Sequence, residues 1–233
     1  MKVVILAGGF GTRLSEETKI KPKPLIEIGK KPIIWHIMKI YSKYGISEFI
    51  ICLGYKGHLI KKELSKYEKK ENWNISYVDT GKNTMTGGRV KRIKKNLGRD
   101  KVFCLSYGDG VSNVNIKKLI NFHILSQKMA TLTAVNQNNR FGVLVLSKNK
   151  VKKIIEKPKE FINGGFFVLS TKIFKYLKND KSVFEVDCLP KLAKSNQLSA
   201  FIHKGFWGCM DTMRDKRMLN EEWSKKTCKW KIW

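Results

Sequence analysis

Short unbroken apolar runs alternate with segments of helical period through the first half of the chain. Val3–Leu6 is a continuous apolar run, the mark of a strand buried on both faces of a parallel sheet. Pro32 opens a helix at its first turn and Gly45 closes it, with Ile33, Ile37, Ile40, Tyr41 and Tyr44 on one face. That face predicts packing on a sheet, with Trp35 and Met38 as further packing residues. Glu48–Leu53 reads as the second strand, residues 56–67 as a second helix and residues 74–78 as a third strand. Strand, helix, strand, helix is the rhythm of a parallel sheet with crossovers. A polar stretch at 79–89 leads to a basic helix at 90–96, a strand at 102–106 and a helix at 115–127. On that last helix Ile116, Leu119, Ile120, His123 and Ile124 are expected to face inward. From residue 130 strands follow one another, at 130–135, 143–146, 151–156 and 163–169, then short helices at 171–177 and 183–194. A strand at 198–203, a segment at 206–210 and a helix from Thr212 to about Trp223 complete the pattern. The second half is expected to add a smaller sheet to the same domain. The tail at 225–233, basic and rich in tryptophan, is expected to dock on the body or on another subunit.

Three of the predicted strands end in chemically distinctive loops. After the first, the chain reads Ala7-Gly8-Gly9-Phe10-Gly11-Thr12-Arg13. Without a Cβ at three positions, the backbone can turn sharply and bring several N–H groups close to an anion. Arg13 adds a forked cation suited to phosphate oxygens. This is a place to lay a nucleotide, although a tight turn alone accounts for such glycines equally well. A dinucleotide-binding crossover wants a third glycine where Leu14 stands, and an acidic residue where the second strand ends in Cys52-Leu53-Gly54. A phosphate loop wants glycine, lysine and a hydroxyl residue in fixed order, which Gly11-Thr12-Arg13 does not supply. The polar stretch at 79–89 lies beyond the carboxyl end of the third strand, where open α/β sheets bind ligands. Tyr107-Gly108-Asp109-Gly110 follows another strand directly, and its aspartate is placed either to hold a divalent cation or to cap a helix.

Composition narrows the class. With 233 residues and 42% hydrophobic positions, the chain has ample length for a core. No apolar run approaches the roughly 18 residues of a bilayer span, and the start lacks the regions of a signal peptide, so the expected location is cytoplasmic. Cys52, Cys104, Cys188, Cys209 and Cys228 form no C-x-x-C pair, which argues for reduced packing cysteines rather than disulfides or zinc. The net charge of +28 raises a nucleic-acid hypothesis. Only seven of the 47 basic residues are arginine, the commonest reader of base edges, so no specific nucleic acid is expected. The charge should still draw in anionic substrates.

Further stretches complete a pattern: Gly-Gly-x-Gly-Thr-Arg followed by Lys21-Pro22-Lys23-Pro24, then Asp109, Arg140-Phe141-Gly142, Glu156-Lys157-Pro158, Asn163-Gly164-Gly165 and Met210-Asp211-Thr212. In this order the set resembles the sugar-1-phosphate nucleotidyltransferases. In detail it is most similar to their glucose-1-phosphate cytidylyltransferase branch, through Asp79-Thr80-Gly81, Met85-Thr86-Gly87-Gly88-Arg89, Tyr107-Gly108-Asp109-Gly110-Val111 and the run at 162–169. The resemblance implies an α/β, Rossmann-like fold of the nucleotide-diphospho-sugar transferase type. It also implies a mixed, mainly parallel sheet flanked by helices, with a smaller C-terminal sheet element. Residues 1–233 would form one domain, with nucleotide bound mainly by 1–129, and sugar phosphate mainly by 130–233 with the C-terminal helices.

The implied reaction joins CTP and α-D-glucose 1-phosphate with Mg²⁺, for deoxysugar and surface polysaccharide (O antigen) synthesis in a homo-oligomer. By resemblance Arg13, Lys23 and Lys157 are catalytic cations, and Asp109 and Asp211 hold the metal. Leu6, Ala7, Gly8, Gly9, Gly11, Thr12, Arg13, Lys23, Thr84, Gly87, Gly88, Arg89 and Gly108 would frame the nucleotide. Gly142, Glu156, Lys157, Asn163, Gly164 and Gly165 would hold the sugar phosphate. Two departures stand out: residues 68–73 replace a longer segment of the family, and Asn136-Gln137-Asn138-Asn139 stands where the family often has prolines. The same chemistry with dTTP, UTP or another sugar phosphate remains open. So does a non-catalytic nucleotide-sugar or RNA binder.

Overall fold

A computed structural model describes residues 1–138, 142–156 and 159–233; the side chains of Arg13, Ser15, Glu16, Gln137, Asn138 and Lys159 lie outside that description. In chain order the strands are β1 (Val3–Leu6), β2 (Glu27–Ile28), β3 (Lys31–Pro32), β4 (Glu48–Leu53), β5 (Asn74–Asp79), β6 (Val102–Tyr107) and β7 (Gly110–Ser112). They continue with β8 (Ala130–Asn138), β9 (Val143–Ser147), β10 (Lys150–Ile155), β11 (Lys159–Ser170), β12 (Leu198–His203) and β13 (Trp207–Cys209). Among the described residues, seven of them make the central sheet, ordered β12-β8-β11-β6-β1-β4-β5. β11 is antiparallel to both neighbours, and the other pairs are parallel. The sheet is therefore mixed and mainly parallel, as the apolar runs predict.

Alternation along each strand explains why the runs are unbroken. Val3, Ile5, Phe49, Ile51, Cys104, Phe166 and Val168 point into one core, and Val4, Ile50, Cys52, Phe103, Leu105, Phe167 and Leu169 into another. Both faces of the sheet are covered, so both alternating sets must be apolar. The helix Ile33–Ser42 lies on the first face. It is buried nearly all round, at Ile33, Ile34, Trp35, His36, Ile37, Met38, Ile40 and Tyr41. The tail covers its outer side: Trp230 is fully buried, stacked on Trp223 at 5.9 Å and on Phe206 at 5.3 Å. Trp233 meets Trp35 edge-on at 5.8 Å. The tail thus docks on the body of its own chain.

Several boundaries differ from the sequence reading. The helix expected at 56–67 ends earlier, as Gly57–Leu64, and a separate helical turn, Glu68–Glu71, follows beyond its expected end. The basic helix expected at 90–96 starts earlier, as Thr86–Arg92, and continues as the 3-10 turn Lys94–Leu97. Its two leading glycines suggested a loop, but they serve close packing, since a Cβ on Gly88 would meet Asp180 at 2.6 Å and one on Gly87 the Ser182 carbonyl at 2.8 Å. On the helix Ile116–Ser126, Ile116, Leu119 and His123 are buried as expected, while Ile124 is 58% exposed. Beyond the hairpin β9–β10 and the pair β7–β13, the strands of the second half extend the central sheet.

Two features of this topology position the site. β1 has β4 on one side and β6 on the other, so the loops after β1 and β6 diverge at a switch point, the place where open α/β sheets hold ligands. β7 pairs with β13 with Gly110 opposite Cys209, and Met210 N donates to Asp109 O at 2.9 Å. That pairing brings Asp109 beside Asp211 across the chain.

Candidate active site

The first cavity, of about 400 Å³, opens at the switch point. Its floor and walls are residues 6–12, Lys23, Pro24, residues 82–86, Arg89 and residues 107–109. Leu6, Ala7, Gly8, Gly9, Gly11, Thr12, Lys23, Thr84, Arg89 and Gly108 all line this cavity. Gly87 and Gly88 do not, being packed against residues 180–184 instead. Gly8 is required sterically, because a Cβ there would stand 2.2 Å from Arg89 Nη1.

Arg89 lines this cavity from a buried position. It is 4% exposed, and its guanidinium donates to five groups: Leu53 O, Thr80 Oγ1, Gly81 O, Gly8 O and Lys82 O. These acceptors lie at the end of β4 and in the loops after β1 and β5. Burial holds the guanidinium below its ordinary pKa. A buried fork donating to four backbone oxygens and one hydroxyl ties the cavity walls together.

A second cavity of about 960 Å³ shares Tyr107 and Asp109 with the first. Asn163, Gly164, Gly165, Trp207, Cys209 and Asp211 are among its lining residues. A register shift of β11 against β8 between Asn163 and Phe167 makes room there, and Gly165 takes φ +76 beside the Tyr107 ring. Bulges next to sites re-aim side chains in this way. Trp207 Nε1 donates to Gly164 O at 2.7 Å and closes the back of the turn.

Where the cavities join, Lys23 Nζ donates to Asp109 Oδ2 at 2.6 Å and to Asp211 Oδ1 at 2.5 Å. The 3-10 turn Lys23–Leu25, set by the flanking prolines, carries this lysine. Burial works against its charge, but the two carboxylates prevail and raise its pKa. Cys209 Sγ completes a group whose donor atoms, one from each of Asp109, Cys209 and Asp211, lie within 4.8 Å of one another. Burial and the two acids push that thiol up, so it stays protonated. Two carboxylate oxygens already converge on one cationic centre, the lysine ammonium, which is the donor arrangement a divalent cation needs.

The nucleotidyl transferase family model matches residues 2–223. The chain is 47% identical to the glucose-1-phosphate cytidylyltransferase of Salmonella typhi over 256 residues, covering 100% of both chains. It is 42% identical to the probable glucose-1-phosphate cytidylyltransferase of Bacillus subtilis over 255 residues, again covering 100% of both. Among solved structures it resembles HddC from Yersinia pseudotuberculosis, with a TM-score of 0.77, 29% identity and coverage of 96% of this chain and 99% of that one. The chain belongs to the nucleotidyl transferase family.

The aligned length of 256 exceeds this nucleotidyltransferase's 233 residues, so the Salmonella protein carries residues with no counterpart here. Of the residues expected at the sugar phosphate, Asn163, Gly164 and Gly165 line the second cavity. Gly142 and Glu156 sit together at the base of the hairpin β9–β10, a Cβ on Gly142 coming 3.0 Å from Glu156 Oε2, and they do not line it among the described residues. Lys157 and Arg140 lie outside the described residues, and Arg13 is described only in its backbone, within the 3-10 turn Thr12–Leu14. The sequence reading named Tyr107 only as part of its turn, and missed Glu185 and Cys209 as site residues. Their contacts cross elements far apart in the chain, and only Cys209, two residues before Asp211, carried a local signal.

Proposed function

We propose that this nucleotidyltransferase transfers the cytidylyl group of CTP to α-D-glucose 1-phosphate, giving CDP-glucose and pyrophosphate. The observation that carries the proposal is the meeting of two cavities at Asp109, Asp211 and Lys23, in a chain whose full-length relatives bear that activity in their names. CTP would fill the first cavity and the sugar phosphate the second, with the two phosphates facing one another at the join.

In the reaction a phosphate oxygen of glucose 1-phosphate attacks the α-phosphorus of CTP. The bond from that phosphorus to the β-phosphate bridging oxygen breaks, and pyrophosphate leaves with the electron pair. The nucleophile is already an anion near neutral pH, so no side chain need take a proton. The chain's task is to bring two polyanions together and to stabilise charge on the transferring group. Lys23 is placed to exchange its carboxylate partners for triphosphate oxygens, and Arg13 would join it. Asp109 and Asp211 would hold Mg²⁺, which when bound would neutralise phosphate charge and so ease the approach of two polyanions. The loop at 7–12 offers backbone N–H groups to the nucleotide. On the other side Asn163 offers both a donor and an acceptor to sugar hydroxyls, with Glu156, Gly142 and Lys157 completing the sugar-phosphate site.

We assign the product to deoxysugar synthesis for surface polysaccharide, in the cytoplasm, by a homo-oligomer of this one-domain chain. Among the described residues no helix is long and apolar enough to cross a membrane. Pyrophosphate release with glucose 1-phosphate, Mg²⁺ and each nucleoside triphosphate in turn tests the reading. Release with CTP in preference to dTTP, UTP, ATP and GTP is expected. Preference for another nucleotide would overturn the cytidylyl assignment while keeping the reaction class.

A further inference from the structure

Glu185 connects the two cavities. It sits in the π-helical turn Phe184–Cys188, a backbone form concentrated at functional sites. Its Oε2 accepts a hydrogen bond from Thr86 Oγ1 at 2.7 Å, and Thr86 lines the first cavity. Its Oε1 accepts from the Tyr107 hydroxyl at 2.5 Å, and Tyr107 stands where the cavities join. The Tyr107 oxygen accepts in turn from Asn163 Nδ2 at 3.1 Å, and Asn163 Oδ1 accepts from Gly165 N at 2.9 Å.

Glu185 sets the direction of this whole relay. A carboxylate only accepts, so the Thr86 and Tyr107 hydroxyls both commit their hydrogens to it. The Tyr107 oxygen is left with lone pairs alone, and only the NH₂ end of Asn163 can face it. A flipped amide would set carbonyl oxygen against that oxygen and NH₂ against the Gly165 N–H. With one N–H and one lone pair engaged, the Asn163 amide keeps one of each for a ligand, and it lines the second cavity.

We propose that Glu185 is a positioning residue. Through Tyr107 it orients Asn163 toward a sugar hydroxyl, and through Thr86 it ties that orientation to the wall of the nucleotide cavity. The proposal rests on the reading of the second cavity as the sugar-phosphate site.

The test is steady-state pyrophosphate release by the full chain, varying CTP and glucose 1-phosphate in turn, for wild type, Glu185→Gln, Tyr107→Phe and the double variant. Glutamine keeps the volume but presents a donor where an oxygen accepted, which reverses one bond of the relay. Each single variant is expected to raise the KM for glucose 1-phosphate roughly tenfold, the worth of one well-placed hydrogen bond. The KM for CTP stays within about twofold, and the double variant is no worse than Tyr107→Phe, because both substitutions cut the same relay. Equal rises in both KM values, or additive losses in the double variant, would overturn the role. If wild type turns over CTP and glucose 1-phosphate while both single variants match it, the positioning role alone fails. A wild type silent with that pair removes the substrate reading and the role together.

Discussion

Arg89→Met asks whether one buried side chain holds the nucleotide cavity in shape. Methionine has similar length and no donors, so it fills the space and removes all five hydrogen bonds. The loss is bounded by what each acceptor keeps. Leu53 O still receives Thr80 N at 3.0 Å and the Thr80 hydroxyl at 2.6 Å, and Gly8 O still receives Tyr55 N at 3.1 Å. The bonds to Gly81 O and Lys82 O are only part-buried, so water can replace the guanidinium there. Thr80 Oγ1 loses its donor but keeps its own bond to Leu53 O, so one buried oxygen is left without a donor and the rest of the penalty for buried unpaired groups does not arise. What disappears is three buried charge-assisted bonds, to Leu53 O, Thr80 Oγ1 and Gly8 O. Each is worth about 1.5–3 kcal/mol, and removing the guanidinium recovers the desolvation that burying it costs. A net loss of about 2–4 kcal/mol follows, a fall in Tm of roughly 5–15 °C for a chain of this size. The variant therefore folds, but with the cavity walls no longer tied, and the KM for CTP is expected to rise about tenfold or more. Arg89→Lys should not rescue it, because one ammonium has three donors and no fork. Differential scanning calorimetry and nucleotide-varied kinetics check both halves. A Tm within about 2 °C of wild type with unchanged KM for CTP, or rescue by lysine, would refute the reasoning.

Asp109→Asn should lower turnover on the order of a thousandfold, while Lys23 keeps Asp211 as partner and the far-ultraviolet circular dichroism is unchanged; activity near wild type would defeat the metal assignment. His36 gives a pH dependence of stability. Buried with Nε2 bonded to Ile28 O, its pKa is lowered from 6.5 to about 4, so the folded protein keeps it neutral while the unfolded chain takes up a proton. Its contribution is therefore complete above about pH 6.5 and is lost as pH falls toward about 4, by up to about 1.4 kcal/mol per pH unit. Urea unfolding of wild type and His36→Gln across this window should differ in slope by up to one proton; identical slopes would count against a buried neutral imidazole.

Much of the site was legible because its parts lie at strand ends. The apolar run of β1 ends where glycines begin, and β6 ends at Gly108-Asp109, so topology alone puts both loops at the switch point. Lys23 between prolines and Asp211 beside Thr212 were legible only through the family pattern, since nothing local says that they meet. Gly87-Gly88-Arg89 looked like a ligand loop because glycine, threonine and arginine serve both purposes. Its actual use depends on chain arriving from elsewhere: residues 180–184 close on the two glycines, and Gly8 and Leu53 receive the inward-turned arginine. Glu185 was invisible for the same reason: its partners Thr86, Tyr107 and, through Tyr107, Asn163 come from three distant parts of the chain. Ile124 fits a helical stripe, yet it is exposed on a helix that packs over β8 and the edge strand β12.

The bond from Lys23 to Asp211 spans 188 residues, and the one from Gly29 N to Asn220 Oδ1 spans 191. Trp223 and Trp230 close over His36 from a similar distance along the chain. Contacts this remote form late, because the entropy of closing so large a loop must be met before they stabilise anything. The local helices and the β1–β4–β5 crossovers can assemble first, without the acid pair and without a lid on the first core. Catalytic competence is thus a report on complete folding: chains that have recovered their helical signal are still inert until the C-terminal segment docks. On refolding from urea, pyrophosphate release should return with the quenching or shift of buried tryptophan fluorescence, after the far-ultraviolet signal has already recovered.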